Sequence, residues 1–295
     1  MLRRCSQLTK TPLYVPALAR SLSLGEAIQD FGRAARRAAR QAARQDEPQP
    51  VAIEGTAPFY HRQLVVVDAV STPTQWPKKL EMSNHLIAAY TKAKIAINEN
   101  PKTSPLNTIA ATPFPLPSCA DATAEATEMP AKHDVLVFPE LVRVHDVTLE
   151  QIPALVEKLV PSDVDVQGVL HQENLEFSKM AEGYHIFVCA HEQRDFRCGC
   201  NGPLLLRWLK DIGEKRNISL HLYSASHFGG HRYAANAIVY PSGDWFGLLN
   251  EPADAEALVQ ALEDQDPLRL ASQWRGRINM TKEEQIEALQ TASEA

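Results

Sequence analysis

Three cysteines and two histidines in the later part of the chain stand at spacings that suit a metal or redox site. Cys189, Cys198 and Cys200 fall within twelve positions, and His227 and His231 follow, four residues apart around a Gly-Gly pair. Any one of them alone would be read as a core or hydrogen-bonded residue. Together, two Cys and two His at loop positions supply a complete set of four ligands, which predicts a metal site.

The spacing leaves the identity of the metal open. Zinc fingers usually separate paired cysteines by two to four residues, whereas eight residues separate Cys189 from Cys198. A [2Fe-2S] cluster whose second iron is held by two imidazoles, as in Rieske centres, uses the same ligand types. Here, however, both cysteines precede both histidines. Zinc and iron therefore both remain candidates from the residues alone.

The elements around the cysteines indicate how they are positioned. Residues 184–190 (YHIFVCA) form a short apolar run typical of a buried strand, and residues 203–213 (PLLLRWLKDIG) predict a helix. Asn201 is the natural N-cap of that helix, so the loop before it is expected to face unpaired N–H groups. The helix dipole and the positive charges of Arg194 and Arg197 then favour thiolates in this loop.

The same order of elements is predicted twice along the chain. The first set is a strand at 63–69, a helix at 80–97, strands at 134–138 and 141–144, and a helix at 148–160. The second set is a strand at 184–190, a helix at 203–213, a strand at 218–223, a hairpin of 237–240 with 245–249, and a helix at 254–262. Thr148 and Asp254 are the expected N-caps of the two last helices. Residues 98–132, rich in Pro, Thr, Ala and Ser, read as a surface loop containing Cys119.

This repetition predicts an α/β fold with a mixed sheet, built of two thioredoxin-like lobes. The expected boundaries are a leader with a basic helix at 1–45, a lobe without ligands at 51–165, a lobe with ligands at 166–263, and a tail with a helix at 264–295. Asp68 stands in the first lobe where Cys189 stands in the second. Only the second lobe therefore keeps the metal ligands.

The beginning of the chain has the composition of a mitochondrial transit peptide. Residues 1–25 hold four Lys or Arg and no Asp or Glu, and a stripe of arginines follows within residues 33–44. The net charge of −6 gives no reason to expect nucleic-acid binding, and no apolar run is long enough for a transmembrane segment. We find no phosphate-binding glycine loop and no nucleotide fingerprint, which favours an electron carrier or redox regulator over an enzyme with a small-molecule substrate.

The motifs CAHEQRDFRCG and SHFGGHRYAANAIVYPSGDWFG resemble the sucrase/ferredoxin-like family of thioredoxin-like ferredoxins, and the resemblance extends over about residues 59–289. It implies that residues 166–263 are a ferredoxin domain with a [2Fe-2S] cluster. In that family, the cluster is bound by residues matching Cys189 and Cys198 on one iron and His227 and His231 on the other. It also implies one-electron transfer or thiol-redox control with redox partner proteins that the sequence does not name.

The leader makes the chain most similar to the mitochondrial branch of this family in fungi, with the matrix as the expected compartment. Cytosolic relatives end in a tryptophan-terminated signal for cytosolic cluster assembly, whereas this chain ends Thr-Ala-Ser-Glu-Ala. The resemblance therefore implies that the mitochondrial iron–sulfur assembly machinery supplies the cluster.

Two alternatives stay open. The same four ligands would also serve a zinc-stabilised interaction module. A thiol oxidoreductase would instead use Cys198 and Cys200 as an exchanging pair, although C-x-C matches the usual C-x-x-C arrangement poorly. Structural roles are the simpler expectation for Cys200 and Cys119.

Overall fold

The computed structural model describes residues 52–68, 73–97, 99–100, 104–115 and 129–294. The predicted leader, the basic helix and Cys119 lie outside these residues. The described residues from Ile53 onward belong to one compact unit. Among them, no helix combines the length and the apolar character needed to cross a membrane.

The unit contains ten strands and six helices among the described residues. The strands are β1 (Arg62–Val67), β2 (Leu106–Pro113), β3 (Lys132–Phe138), β4 (Val142–Thr148), β5 (Phe177–Lys179), β6 (Tyr184–Cys189), β7 (Leu220–Ala225), β8 (Ala237–Tyr240), β9 (Asp244–Phe246) and β10 (Trp274–Arg277). The helices are α1 (Leu86–Ala96), α2 (Ile152–Leu159), α3 (Val166–Gln172), α4 (Phe196–Arg216), α5 (Pro252–Glu263) and α6 (Lys282–Glu294).

All ten strands form one sheet in the order β10-β9-β8-β6-β7-β2-β1-β3-β4-β5. We call β1–β5 with α1–α3 the first half, and β6–β10 with α4–α6 the second half. In the first half β1 is parallel to β2 and antiparallel to β3, and in the second half β6 is parallel to β7 and antiparallel to β8. The α/β fold with a mixed sheet is therefore confirmed, while the lobe boundaries stay a prediction.

The two halves meet where β2 pairs with β7 in antiparallel orientation. Three residue pairs make this junction: Ala111 with Ala225, Thr112 with Ser224, and Pro113 with Tyr223. The sheet thus continues from one half into the other without a break.

Each half packs its helices on one side of the sheet, and both halves share a core on the other side. Along β1, Leu64 and Val66 join the cluster beneath the first-half helices, whereas Val65 joins the shared cluster. Successive strand residues point to opposite faces, so this alternation is what a sheet covered on both sides requires. In the shared cluster Phe138 of the first half stacks on Tyr240 of the second, with ring centroids 4.3 Å apart. Aromatic packing therefore joins the halves in addition to the β2–β7 junction.

Several elements differ from their predicted positions. β2 lies inside the segment predicted as a loop, because its sequence LNTIAATP carries small and polar residues between prolines and lacks the branched apolar run of a buried strand. α1 begins at Leu86 rather than near residue 80, where a short 3₁₀ turn stands instead. The strand–strand pairing on both sides of β2 outweighs its weak intrinsic preference.

The last helices of the two predicted sets do not begin at their predicted caps. Thr148 ends β4, and the helix after it starts at Ile152. Asp254 lies in the first turn of α5, where it forms a capping box with Glu251. At α6 the cap is Thr281, whose backbone N–H donates to Glu284 Oε2 at 2.7 Å.

Candidate metal centre

The cysteines are held by a strand end and by the first turn of a helix. Cys189 is the last residue of β6 and is 1% exposed, and Cys198 is the third residue of α4 and is fully buried. The predicted start of this helix is wrong. Asp195 is the N-cap, since its Oδ1 accepts the backbone N–H of Arg197 at 3.0 Å, and Asn201 lies inside the helix.

A close approach between α4 and β6 brings the two thiols together. A Cβ atom on Gly202 would lie only 2.3 Å from the carbonyl oxygen of Cys189. Only glycine allows the helix to pack this closely on the strand end. The packing places Cys198 beside Cys189.

The histidines lie on the turn that follows β7. Ser226 fixes the start of this turn, because its N–H donates to the carbonyl of Ala110 at 2.8 Å and its Oγ accepts the Ala110 N–H at 3.0 Å. Gly229 and Gly230 then have φ angles of 103° and 70°, which side chains with a Cβ rarely adopt. The sharp turn expected from the Gly-Gly pair is therefore present.

Three of the four predicted ligands converge. The Sγ atoms of Cys189 and Cys198 and a ring nitrogen of His227 all lie within 4.8 Å of one another. His231 stands beside His227, with ring centroids 5.4 Å apart, and its side chain is 49% exposed. Cys200 lies two residues further along α4, partly exposed and outside this group. Cys189, Cys198 and His227 form a possible metal site.

The Sγ atoms of Cys189 and Cys198 lie close enough for each thiol to affect the protonation of the other. The hydrogen bond between them lowers the pKa of Cys189 and raises the pKa of Cys198. Hydrogen bonds from His227 and from the backbone N–H of His191 stabilise the Cys189 thiolate further, against the cost of its burial. The site therefore favours a thiolate at Cys189, the form of sulfur that binds metal ions, while Cys198 retains its proton.

The charge beside the thiols differs from the expectation. Arg194 and Arg197 were the predicted sources of positive charge, but Nε and Nη2 of Arg197 donate to both carboxylate oxygens of Asp195, at 3.0 and 3.1 Å. Burial raises the pKa of Asp195, and its hydrogen bonds to Arg197 lower that pKa by more. Asp195 Oδ2 also lies 3.9 Å from Nε2 of His231. Arg197 is thus neutralised by the helix cap, and Asp195 becomes a neighbour of the fourth ligand candidate.

His191 connects the site to the first half, a role that the sequence did not reveal. Its Nε2 lies 3.3 and 3.1 Å from the carbonyl oxygens of Trp76 and Pro77, and its Nδ1 accepts the backbone N–H of His227 at 3.3 Å. Burial lowers the pKa of His191 to about 4. The ring is therefore neutral at physiological pH, and its partners select the tautomer protonated at Nε2.

Arg275 supports the histidine turn from behind. The buried guanidinium donates to Asn236 Oδ1 at 3.0 Å, to the carbonyl of Thr56 at 3.0 Å and to the carbonyl of Gly229 at 3.4 Å. A Cβ atom on Gly230 would meet it at 2.4 Å. A buried arginine far along the chain from the ligands gives no signal in a reading based on ligand spacing, so this residue was missed as part of the site.

The family model described as sucrase/ferredoxin-like matches residues 53–276. The chain belongs to the sucrase/ferredoxin-like family. It is 26% identical over 167 residues to altered inheritance of mitochondria protein 32 of Meyerozyma guilliermondii, a match covering 51% of this chain and 58% of the relative. The relative of that name in Debaryomyces hansenii is 40% identical over 67 residues, covering 21% of this chain and 24% of the relative. Actin patches distal protein 1 of Saccharomyces cerevisiae is 27% identical over 123 residues, covering 37% of this chain and 39% of that protein.

The chain therefore spans at most 58% of the length of these three relatives. Among solved structures, it is similar to a thioredoxin-like [2Fe-2S] ferredoxin from Aquifex aeolicus. That match has a TM-score of 0.29 and 17% identity, and it covers 33% of this chain and 94% of the ferredoxin. A second structure of the same ferredoxin, at 1.5 Å resolution, gives a TM-score of 0.28 and 16% identity.

Proposed function

We propose that this family member is a mitochondrial [2Fe-2S] protein for electron transfer or thiol-redox regulation. Cys189 and Cys198 would hold one iron, and His227 and His231 the other. The observation that carries the proposal is the convergence of two buried thiols and an imidazole within 4.8 Å. The buried Nδ1 of His227 also has no hydrogen-bond partner in the described part of the chain, as expected of a residue whose ring serves a metal site.

A two-iron cluster and a single zinc ion make different demands on the four ligands, and the arrangement of two pairs suits the cluster, although three of the ligands are also close enough for one ion. A structural zinc site needs its four ligands around one point, whereas a two-iron cluster needs two on each iron. The cysteines form one hydrogen-bonded pair, and the histidines form a second pair beside it. Cys198 is fully buried, which argues against its use with Cys200 as an exchanging dithiol, because that chemistry needs an accessible thiolate.

The two sides of the site differ in exposure, and this difference suggests where electrons would pass. A bound cluster supplies one-electron oxidation and reduction. Cys189 and Cys198 lie in the interior, whereas half of the His231 side chain is open to solvent. We expect a redox partner protein to contact the His231 side.

The mitochondrial assignment rests on the transit-peptide composition of residues 1–25 and on relatives named for the inheritance of mitochondria. The matrix as compartment and the mitochondrial assembly machinery as cluster source belong to the same proposal. Deleting residues 1–45 should leave the protein in the cytosol, as read by cell fractionation. Continued import of the shortened chain would mean that the leader is a basic surface segment.

The cofactor can be tested on the full chain purified without oxygen. We expect a red-brown protein with two irons and two acid-labile sulfides per chain and an electron paramagnetic resonance signal after reduction. Colourless protein with one zinc would support the interaction module instead. Metal-free protein with a rapidly titrating dithiol would support the oxidoreductase.

A further inference from the structure

A cavity of about 530 Å³ lies beside the candidate metal centre, with His227 in its wall. It is also lined by α1 residues and by Asn107 and Thr108 of β2. β7 pairs with β2 only at Ala111–Pro113, so no described strand covers the other edge of β2 at Asn107 and Thr108. The volume falls within the range of about 300–1,000 Å³ that is usual for small-molecule sites.

The charge around this cavity is mostly positive. Lys78, Lys94 and Arg194 contribute to its lining, and Glu81 is the one carboxylate among the described lining residues. Lys94 is only 4% exposed, and its Nζ donates to the carbonyl of Leu106 at 3.2 Å. Within the described residues no carboxylate lies within ion-pair distance of Nζ, and the charge of Glu99 only partly offsets the cost of burying the ammonium. A buried ammonium that makes no direct ion pair is unfavourable, so an anion in the cavity would improve the environment of Lys94.

The remaining lining suits an organic molecule rather than a bare ion. The Thr108 hydroxyl is buried and has no hydrogen-bond partner in the described part of the chain. Apolar side chains, including Leu80, Ile87 and Phe228, complete the wall. The cavity therefore combines a cationic end, an unused polar group and apolar surface.

We infer that this cavity binds a small organic anion bearing a phosphate or carboxylate group, with Lys94 as its main charge partner and Thr108 as a further polar contact. This inference goes beyond the proposed function, because binding requires no metal. Burial lowers the pKa of Lys94 to about 8, so most molecules carry the charged form at neutral pH. Because His227 shares the cavity wall, a bound anion would lie next to a proposed metal ligand.

The second half offers a matched control. A cavity of about 440 Å³ is lined there by Lys210 of α4 and by the start of β7, as the first is lined by Lys94 of α1 and the start of β2. The Lys210 side chain is 38% exposed, and its Nζ lies 2.6 Å from Oε1 of Glu214. Of the two lysines, only Lys210 thus makes a direct ion pair with a carboxylate among the described residues.

The test is isothermal titration calorimetry of the full chain with adenosine monophosphate, citrate and uncharged adenosine. We expect at least one of the two anions to bind and adenosine not to bind. Phosphate and carboxylate recognition are distinguished by which anion binds. Lys94→Met should raise the Kd of that anion about tenfold or more, since it removes a charge-assisted contact. Lys210→Met should leave the Kd within about twofold, because its side chain is already paired.

Thr108→Val is a second variant of nearly equal shape, and it decides the matter if Lys94→Met fails to fold by circular dichroism. It should raise the Kd severalfold. The inference is overturned if neither anion binds up to 10 mM, if adenosine binds as tightly as adenosine monophosphate, or if the folded variants keep the wild-type Kd. Metal content measured on the same samples separates this result from the fate of the cluster proposal, since a metal-free chain that binds the anion supports the cavity alone.

Discussion

The two halves carry different residues at the ends of two corresponding strands, β1 and β6. Asp68 directly follows β1, and Cys189 ends β6; each strand has one parallel and one antiparallel neighbour. The Asp68 carboxylate accepts the Trp76 indole N–H at 2.7 Å and lies 3.0 Å from Nε2 of His85. In the first half, the buried polar group is thus satisfied by its own surroundings.

In the second half, the groups around the strand end are not all satisfied by hydrogen bonds within the described residues. Cys189 faces a thiol and an imidazole, and Nδ1 of that imidazole, on His227, has no partner in the described part of the chain. The strand arrangement thus creates a buried position at each strand end. The residue at that position determines whether its polar group is satisfied by neighbouring side chains, as at Asp68, or is available to a metal, as at Cys189. Changes at these positions should therefore affect metal content in one half and only stability in the other.

The largest effect is expected at Cys189. In Cys189→Ser, iron per chain should fall about tenfold or more, because a serine hydroxyl binds iron far more weakly than a thiolate. Cys200→Ser is the matched control and should keep its iron, as measured by metal analysis. If Cys200→Ser lost iron while Cys198→Ser retained it, the assignment of ligands on α4 would be wrong.

The stability of the first half should depend on pH through His133, a residue that is not part of the metal site. Burial lowers the pKa of His133 to about 4 from 6.5 in the unfolded chain, and Tyr90 Oη lies 2.8 Å from its Nε2. The unfolded chain then binds more protons between these values, so the free energy of unfolding falls as the pH drops from 6.5 to 4. The loss is on the order of 3 kcal/mol.

His133→Gln should remove this part of the pH dependence, as followed by urea unfolding at a series of pH values. His191 and the other titrating groups are common to both proteins and cancel in the comparison. An equal slope in the two proteins would show that His133 titrates normally.

A smaller loss is expected from Asp68→Ala. The change leaves the buried indole N–H of Trp76 without its acceptor, which should lower the free energy of unfolding by about 2 kcal/mol. Metal content should remain that of the wild type, in contrast to Cys189→Ser. Loss of metal in this variant would instead mean that the first half takes a direct part in the site, through Trp76 and His191.

The smallest effect is expected from Ser226→Ala, which removes the acceptor of the Ala110 N–H at the junction of the halves. We expect a loss of about 1 kcal/mol in denaturant unfolding. Ser242→Ala is the control, since its hydroxyl makes only a 3.4 Å contact with the carbonyl of Val239 in a turn. Equal stability of the two variants would show that the Ser226 bond contributes nothing.

Much of the sheet was predictable because its central strands carry short branched apolar runs. β1, β3, β6 and β8 lie within one to two residues of their predicted positions. β2 was not predictable from its own residues, since pairing with two neighbouring strands determines it. The start of α4 was misplaced because Asn201 and Pro203 mimic a helix start, although Asp195 already caps the helix six residues earlier.

The candidate site was predictable as a set of ligand types and only partly as a geometry. The spacing of cysteines and histidines identified the residues, and the turn at Gly229 and Gly230 followed from their freedom to adopt positive φ. The supporting residues could not be found in this way. His191 and Arg275 act through contacts with Pro77 and Thr56, more than a hundred residues away along the chain.

The junction of β2 with β7 links the position of the histidine turn to the pairing of the two halves. Both cysteines are anchored within the second half, whereas the turn that carries His227 is fastened to Ala110 across the seam. Transient separation of the halves would therefore break the bonds between Ser226 and Ala110 and loosen the start of this turn, while His191 and Arg275 still hold it to the second half. An ion or cluster bound by both the cysteines and the histidines would hold the turn in place. By linkage, its binding would raise the free energy needed to separate β2 from β7. Slower amide hydrogen exchange in β2 and β7 on metal loading would show this stabilisation.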